Sequence, residues 1–255
     1  MGILNLTPDS FSDGGLHTHP DAALRRFDQM VAEGADAIDL GAESTRPGYV
    51  PISVEEEWAR LEPVLYAVRR RWEGPISVDT QKPEVARRAL EAGADIVNDI
   101  WGVAHVESMG RLLAEHGAGY VLMFHREPAY APGQVNLEEM VATLRQAVAA
   151  LAAGGVPPAQ VLVDPGLGFA YGVEDNWTVL RALSRFTGLG AGLLIGPSRK
   201  RFLGALSGRP PEARDVATAA VAALAALAGA DVVRVHAVGL AREALAVADR
   251  WVRSG

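Results

Sequence analysis

The residues of this chain with the most chemistry to offer stand where apolar runs stop. Asn5, Asp79, Asn98, Asp99, Asp164, Lys200, Arg234 and His236 each lie at or just past the end of such a run. The clearest case is Val161-Leu162-Val163-Asp164-Pro165-Gly166-Leu167-Gly168-Phe169, where a β-branched run ends on a carboxylate and is then turned by Pro and Gly. Asp is a poor strand residue, Pro165 fixes φ, and the two glycines let the backbone turn tightly beneath a ligand. Arg234 and His236 lie two apart, on one face of a strand, and together suit a phosphate. Lys200 follows Gly196-Pro197-Ser198-Arg199, which could offer backbone N–H groups to an anion at a helix start. Six of the eight also have a plainer reading: helix caps for Asp79 and Asp164, a turn for Asn98 and Asp99, a basic surface loop for Lys200, a core histidine for His236.

Something must bring these ends together. The same grammar recurs eight times, at Ile3-Leu4-Asn5, Ile38-Asp39-Leu40, Ile76-Ser77-Val78-Asp79, Ile96-Val97-Asn98-Asp99, Tyr120-Val121-Leu122-Met123, Val161 to Asp164, Leu193-Leu194-Ile195-Gly196 and Val232-Val233-Arg234-Val235-His236. Between the runs lie segments of helical spacing: 21–33, 53–71, 82–91, 106–115, 137–152, 175–184, 211–228 and 240–253. Ser53 and Glu56 have capping-box spacing, and Gly34, Gly93, Gly117, Gly154 and Gly229 stand where a helix should stop. Strand and helix in strict alternation require parallel strands with right-handed crossovers. Eight units close most naturally into a (β/α)8 TIM barrel, an α/β fold, with an open doubly wound sheet as the competitor. In a barrel the polar strand ends converge on one mouth, and two long loops, 7–20 and 43–51, would fold over it as lids.

At 255 residues with 49% hydrophobic composition, the chain is expected to form a single domain spanning 1–255 around one core. It has no cysteine, which excludes disulfides and thiolate metal sites. A net charge of −7 argues against nucleic-acid partners or an anionic membrane surface. No targeting segment and no membrane span is visible, so the expected compartment is the cytoplasm. Lys82 and Lys200 are the only lysines among 24 basic residues. In so arginine-rich a chain, a lysine invites inspection for chemistry a guanidinium cannot do.

The opening Met1-Gly2-Ile3-Leu4-Asn5-Leu6-Thr7-Pro8-Asp9-Ser10-Phe11-Ser12-Asp13-Gly14-Gly15 resembles the signature of dihydropteroate synthases, the folate-pathway target of sulfonamides. The likeness continues through Gly41-Ala42-Glu43-Ser44-Thr45-Arg46-Pro47-Gly48, Ser77-Val78-Asp79-Thr80, Val97-Asn98-Asp99, Asp164 to Phe169, Ser198-Arg199-Lys200 and Arg234-Val235-His236. It implies condensation of 6-hydroxymethyl-7,8-dihydropterin diphosphate with p-aminobenzoate, through a dissociative loss of the diphosphate, with Mg²⁺ as cofactor and a homodimeric assembly. On this resemblance Asp164, Asn98, Asp79, Lys200 and Met123 bind the pterin. Arg234, His236 and Asn5 hold the diphosphate, with Asn5 as a Mg²⁺ ligand, and Thr45, Arg46, Pro47, Phe169 and Phe11 shape the p-aminobenzoate pocket. Asn5, Asp79, Lys200, Arg234 and His236 form the catalytic set.

Five positions depart from the family pattern. Arg201 stands where a serine is usual, Ala237 where an aspartate is, Phe124 is inserted into a Met-His sequence, and Ala170-Tyr171 replaces a Gly-Lys pair. Two other functions share a pterin pocket: a methyltransferase barrel serving a corrinoid carrier, and a pterin-binding protein without synthase activity. The Ser44-Thr45-Arg46-Pro47-Gly48 loop favours the synthase over the first. Intact first and second loops favour it over the second.

Overall fold

The computed structural model describes residues 1–7, 19–44 and 50–253. Its centre is a parallel sheet of eight strands in chain order: β1 (Gly2–Asn5), β2 (Ile38–Gly41), β3 (Ile76–Asp79), β4 (Ile96–Asp99), β5 (Gly119–Met123), β6 (Val161–Asp164), β7 (Gly192–Ile195) and β8 (Val232–Val233). The sheet curls until its ends meet. Gly2 bridges Val235 in parallel, Ile3 N–H donates to Val235 O at 2.9 Å and Val235 N–H to Met1 O at 3.0 Å. The helices are α1 (His19–Ala32), α2 (Val54–Arg69), α3 (Pro83–Glu91), α4 (Val106–His116), α5 (Leu137–Ala153), α6 (Val173–Arg181), α7 (Arg201–Ser207), α8 (Asp215–Leu227) and α9 (Val238–Arg253).

Strand side chains divide by parity, since successive residues point to opposite faces. Leu40, Val78, Val97, Leu122, Val163 and Ile195 join the helix residues Phe27, Met30, Leu65, Val85, Met109 and Leu144 in one buried cluster. Each fully buried aliphatic side chain there stabilises the fold by about 1.5–3 kcal/mol. Ile3, Val121, Met123 and Leu194, of the other parity, are buried apart from that cluster, inside the barrel.

Helix punctuation follows local chemistry. Gly34, Gly93, Gly117 and Gly229 have positive φ at or just past helix ends, whereas Gly154 has φ −82 and its neighbour Gly155, at φ 98, makes the turn instead. Ser53 Oγ accepts from Glu56 N at 3.1 Å, but the Glu56 carboxylate turns outward to Arg60, so only half of the expected capping box forms. The β7-to-β8 connection holds one more helix than the eight expected. The short α7 starts directly after Lys200 and stops at Gly208, φ 63, before α8 begins at Asp215 instead of Pro211.

Candidate functional site

Register builds the site before any side chain is considered. Asn5 pairs with Gly41, Gly41 with Asp79 and Asp79 with Asn98, so β1 to β4 present one row to the barrel interior, and Met123 pairs with Asp164 across β5 and β6. Gly41 keeps the row open, because a Cβ there would lie 3.4 Å from that of Asp79 and 3.7 Å from Asn5 Oδ1.

Arg234 enters from the far end of the chain and binds two carboxylates. Its Nε donates to Asp39 Oδ2 at 2.6 Å and its Nη2 to Asp79 Oδ2 at 2.7 Å. Asn98 Nδ2 donates to the same Asp39 oxygen at 3.0 Å. Burial pushes Asp79 up to about 7 against the pull of Arg234, with the neighbouring carboxylates adding to the rise. Asp79 does not cap the helix after it, because α3 begins beyond Lys82, whose N–H donates to Thr80 Oγ1 at 3.2 Å.

Asp164 holds its own turn. Oδ1 accepts from Gly166 N at 2.7 Å, while the other oxygen accepts from no described group. Gly166, φ 76, is required, since a Cβ there would stand 2.6 Å from Phe124 O. Tyr171 donates its hydroxyl to Pro165 O at 3.0 Å, and Asn176 Oδ1 accepts from Gly168 N at 2.7 Å. The helix-cap reading of Asp164 fails, because α6 starts only at Val173, after Gly172. Lys200 runs past Gly168, donates to Leu167 O and places Nζ 4.4 Å from the Phe169 ring centre. Burial lowers the Lys200 ammonium to about 8 despite the opposing pull of Asp164, and burial likewise raises the Asp164 carboxyl.

His236 is gripped on every side. Nδ1 lies 2.8 Å from Ser198 Oγ, Nε2 lies 3.3 Å from Asn5 Nδ2, its N–H donates to Ser198 Oγ at 3.1 Å, and Arg26 donates to its carbonyl. Burial, reinforced by nearby arginines, lowers its pKa to about 3, so the ring is neutral at pH 7. Arg199 turns away: at φ 59 it forms a two-pronged pair with Asp215, both bonds at 2.7 Å, and Arg214 donates to the carbonyls of Arg199 and Lys200. The strained Arg199 thereby anchors the Ser198 to Lys200 turn to α8.

Asp99 does not join the mouth. It has the outward parity of β4, and its carboxylate accepts from Trp101 N at 2.8 Å, His105 Nδ1 at 2.9 Å and Tyr120 OH at 3.0 Å. Lys82 is structural too, with Nζ 2.8 Å from Glu43 Oε1 and 2.6 Å from buried Glu57 Oε2, while Glu43 also accepts from Ile52 N at 2.8 Å. Phe124 is core, stacked with Tyr130 at 6.3 Å between ring centres, and Arg201 is exposed at the start of α7. Phe11, Thr45, Arg46 and Pro47 lie outside the described residues, as do most of the two long loops.

Sequence reading missed Asp39 and Ser198. An acid within the apolar run Ile38-Asp39-Leu40 was the available signal for Asp39, since a buried carboxylate must find a donor. Ser198 had no local signal beyond its place before Arg199-Lys200.

The model of a family described as pterin binding enzymes matches residues 1–236. A dihydropteroate synthase of Bacillus subtilis is 44% identical over 236 residues, 92% of this chain and 82% of the relative. The solved structure of a Xanthomonas albilineans dihydropteroate synthase with 4-aminobenzoic acid is 40% identical, with a TM-score of 0.93 over 100% of this chain and 93% of that one. A Thermus thermophilus dihydropteroate synthase in complex with 6HMPPP is 43% identical, with a TM-score of 0.84 over 98% and 92% of the two chains.

Proposed function

The chain belongs to the pterin-binding enzymes, among the dihydropteroate synthases, and we propose that it joins 6-hydroxymethyl-7,8-dihydropterin diphosphate to p-aminobenzoate, giving 7,8-dihydropteroate and pyrophosphate. The observation that carries this reading is the convergence inside one barrel of two unlike donor sets. Asp79, Asn98, Asp164 and Lys200 can read the polar edge of a flat heterocycle, and Arg234, His236 and Asn5 can hold an anion beside it. Asp164 accepts from the 2-amino group and N3–H of the pterin, Asn98 and Asp79 serve other ring positions, and Lys200 donates to a ring acceptor. Met123 lies beside Asp164 against the ring, and Phe169 borders the second substrate. The family resemblance assigns Phe11, Thr45, Arg46 and Pro47 to the p-aminobenzoate end as well.

The reaction breaks the C–O bond between the pterin methylene and the diphosphate, and the bonding pair leaves with oxygen. The aromatic amine then supplies its lone pair for the new C–N bond and loses a proton. Arg234 meets the negative charge that grows on the leaving oxygen, with neutral His236 and Asn5 completing the hydrogen-bonding cradle. Among the described residues, no group of three or more His, Asp or Glu side chains could hold a metal ion. Asn5, whose amide oxygen is a hard neutral donor at the end of β1, would be the protein ligand of a Mg²⁺ accompanying the diphosphate. When bound, the ion supplies neutralisation of leaving-group charge.

Pyrophosphate release from the pterin diphosphate that depends on p-aminobenzoate tests the proposal. Pterin binding without release would instead mark a binding protein, and methyl transfer to a corrinoid would mark the methyltransferase reading.

A second copy of the chain fits the surface of α8 and α9, which pack along each other. Val216, Leu224 and Leu227 on α8 and Val247, Trp251 and Val252 on α9 are all exposed. An apolar area of this kind is characteristic of an interface, so the proposed assembly is a homodimer. No described helix is long and apolar enough to cross a membrane, and the cytoplasm is the compartment proposed.

A further inference from the structure

One fully buried oxygen serves both halves of the site. Asp39 Oδ2 accepts from Arg234 Nε at 2.6 Å and from Asn98 Nδ2 at 3.0 Å, while Oδ1 is buried without a partner among the described residues. Asp39 has no exposed surface and sits one inward position below Gly41, in register with Ile3 and Ser77. It therefore cannot touch a ligand lying at the level of Asp79 and Asn98 except through those neighbours. A carboxylate at this depth is costly unless its donors are held in place, and the same constraint acts in reverse on the donors. Arg234 has four freely rotating side-chain bonds, and Asn98 can turn its amide over. Both are oriented by a common acceptor.

We propose that Asp39 is a positioning residue that aims Arg234 at the diphosphate and Asn98 at the pterin, so that one side chain aligns the bond to be broken with the group that leaves. This rests on the roles given above to Arg234 and Asn98. Two physical roles predict opposite signs. If Asp39 acted only as a counter-charge, removing it would leave Arg234 less neutralised and would tighten anion binding. As a positioning residue, its loss frees Arg234 and Asn98 together and weakens both ligands.

The test is calorimetric titration of inorganic pyrophosphate, and separately of 6-hydroxymethylpterin, into the parent and Asp39→Asn proteins, with melting curves recorded for both. The expected result is an affinity loss of about tenfold for each probe, as suits hydrogen bonds to a charged group. Pyrophosphate binding that is unchanged or tighter in the variant overturns the proposal, as does an effect confined to one probe. If Asp39→Asn does not fold, Asn98→Ala serves instead. Releasing the second donor from Asp39 should weaken pyrophosphate roughly threefold, although Asn98 lies on another strand, and unchanged pyrophosphate affinity overturns the idea. A parent protein that binds neither probe overturns the functional reading, and this proposal with it. A parent that binds both, with a variant that binds both as tightly, overturns the assignment of Asp39 alone.

Discussion

Lys200 lies so close over Gly168 that a Cβ on the glycine would stand 2.9 Å from the lysine Cδ. The turn after β6 and the turn after β7 are thus fitted to each other, and the ammonium reaches Leu167 O and the Phe169 ring only because position 168 has no side chain. Gly168→Ala should displace Lys200 and also strain a backbone at φ 81, at a cost of about 1–2 kcal/mol. The expected outcome is a modestly lowered melting temperature with most turnover lost. Steady-state rates equal to the parent would show that Lys200 tolerates the shift.

Asp164→Asn should leave the fold intact, because an amide oxygen can still accept from Gly166 N. In the role proposed for Asp164, the variant would place an NH₂ or an uncharged oxygen opposite the pterin donors. Breaking a buried charged pairing of this kind costs on the order of 3–5 kcal/mol, or roughly two to four decades in pterin affinity. Equal affinity in the two proteins, measured by titration, would make Asp164 purely a turn residue.

Asp79 carries a pH signature. Its folded pKa, about 7, lies above the ordinary value of 3.8. Between those values the folded protein binds more protons at this site than the unfolded chain, so the Asp79 contribution is full below pH 3.8 and is lost as pH rises through 7. His236, lowered from 6.5 to about 3, works in the opposite sense, stabilising more as pH rises from 3 to 6.5. The two partly cancel in the parent, and Asp79→Asn separates them. The melting temperature of the parent minus that of the variant should fall between pH 4 and pH 7 and level off above. A rise over that window would contradict the assignment.

Lys82→Met should leave Glu43 and Glu57 buried beside each other without their shared ammonium. The expected destabilisation is about 3–5 kcal/mol, measured by chemical denaturation. Adding Glu43→Gln and Glu57→Gln should recover much of it, since the uncompensated charge is the cause. No recovery would point to lost packing instead.

Leu224 is exposed on the face of α8 proposed to meet a second copy. If the proposed dimer forms through this face, Leu224→Arg should yield a monomer in sedimentation velocity, with the melting transition still cooperative. A parent that sediments as a monomer would remove the interface altogether.

What the amino-acid order determined by itself was the alternation of elements and the polar residues at their ends. Those signals are local: a β-branched run, a turn of Pro and Gly, a glycine with positive φ after a helix. Asp164, Asp79, Asn98, Lys200, Arg234 and His236 stood out as candidates for that reason, and the order of motifs identified the family. Parity and distance were not legible. Asn98 and Asp99 are adjacent and both polar, yet the pairing of Asp79 with Asn98 turns one inward and leaves the other to Trp101, Tyr120 and His105. Asp39 resembles any stray acid in an apolar run until Arg234, 195 residues away, closes on it. Lys82 looked as promising as Lys200 from its scarcity, but folding gave one a pair of buried glutamates and the other an aromatic ring and a carbonyl. A side chain's role here depends on which charges share its low-dielectric surroundings, and only closure of the barrel brings those charges together.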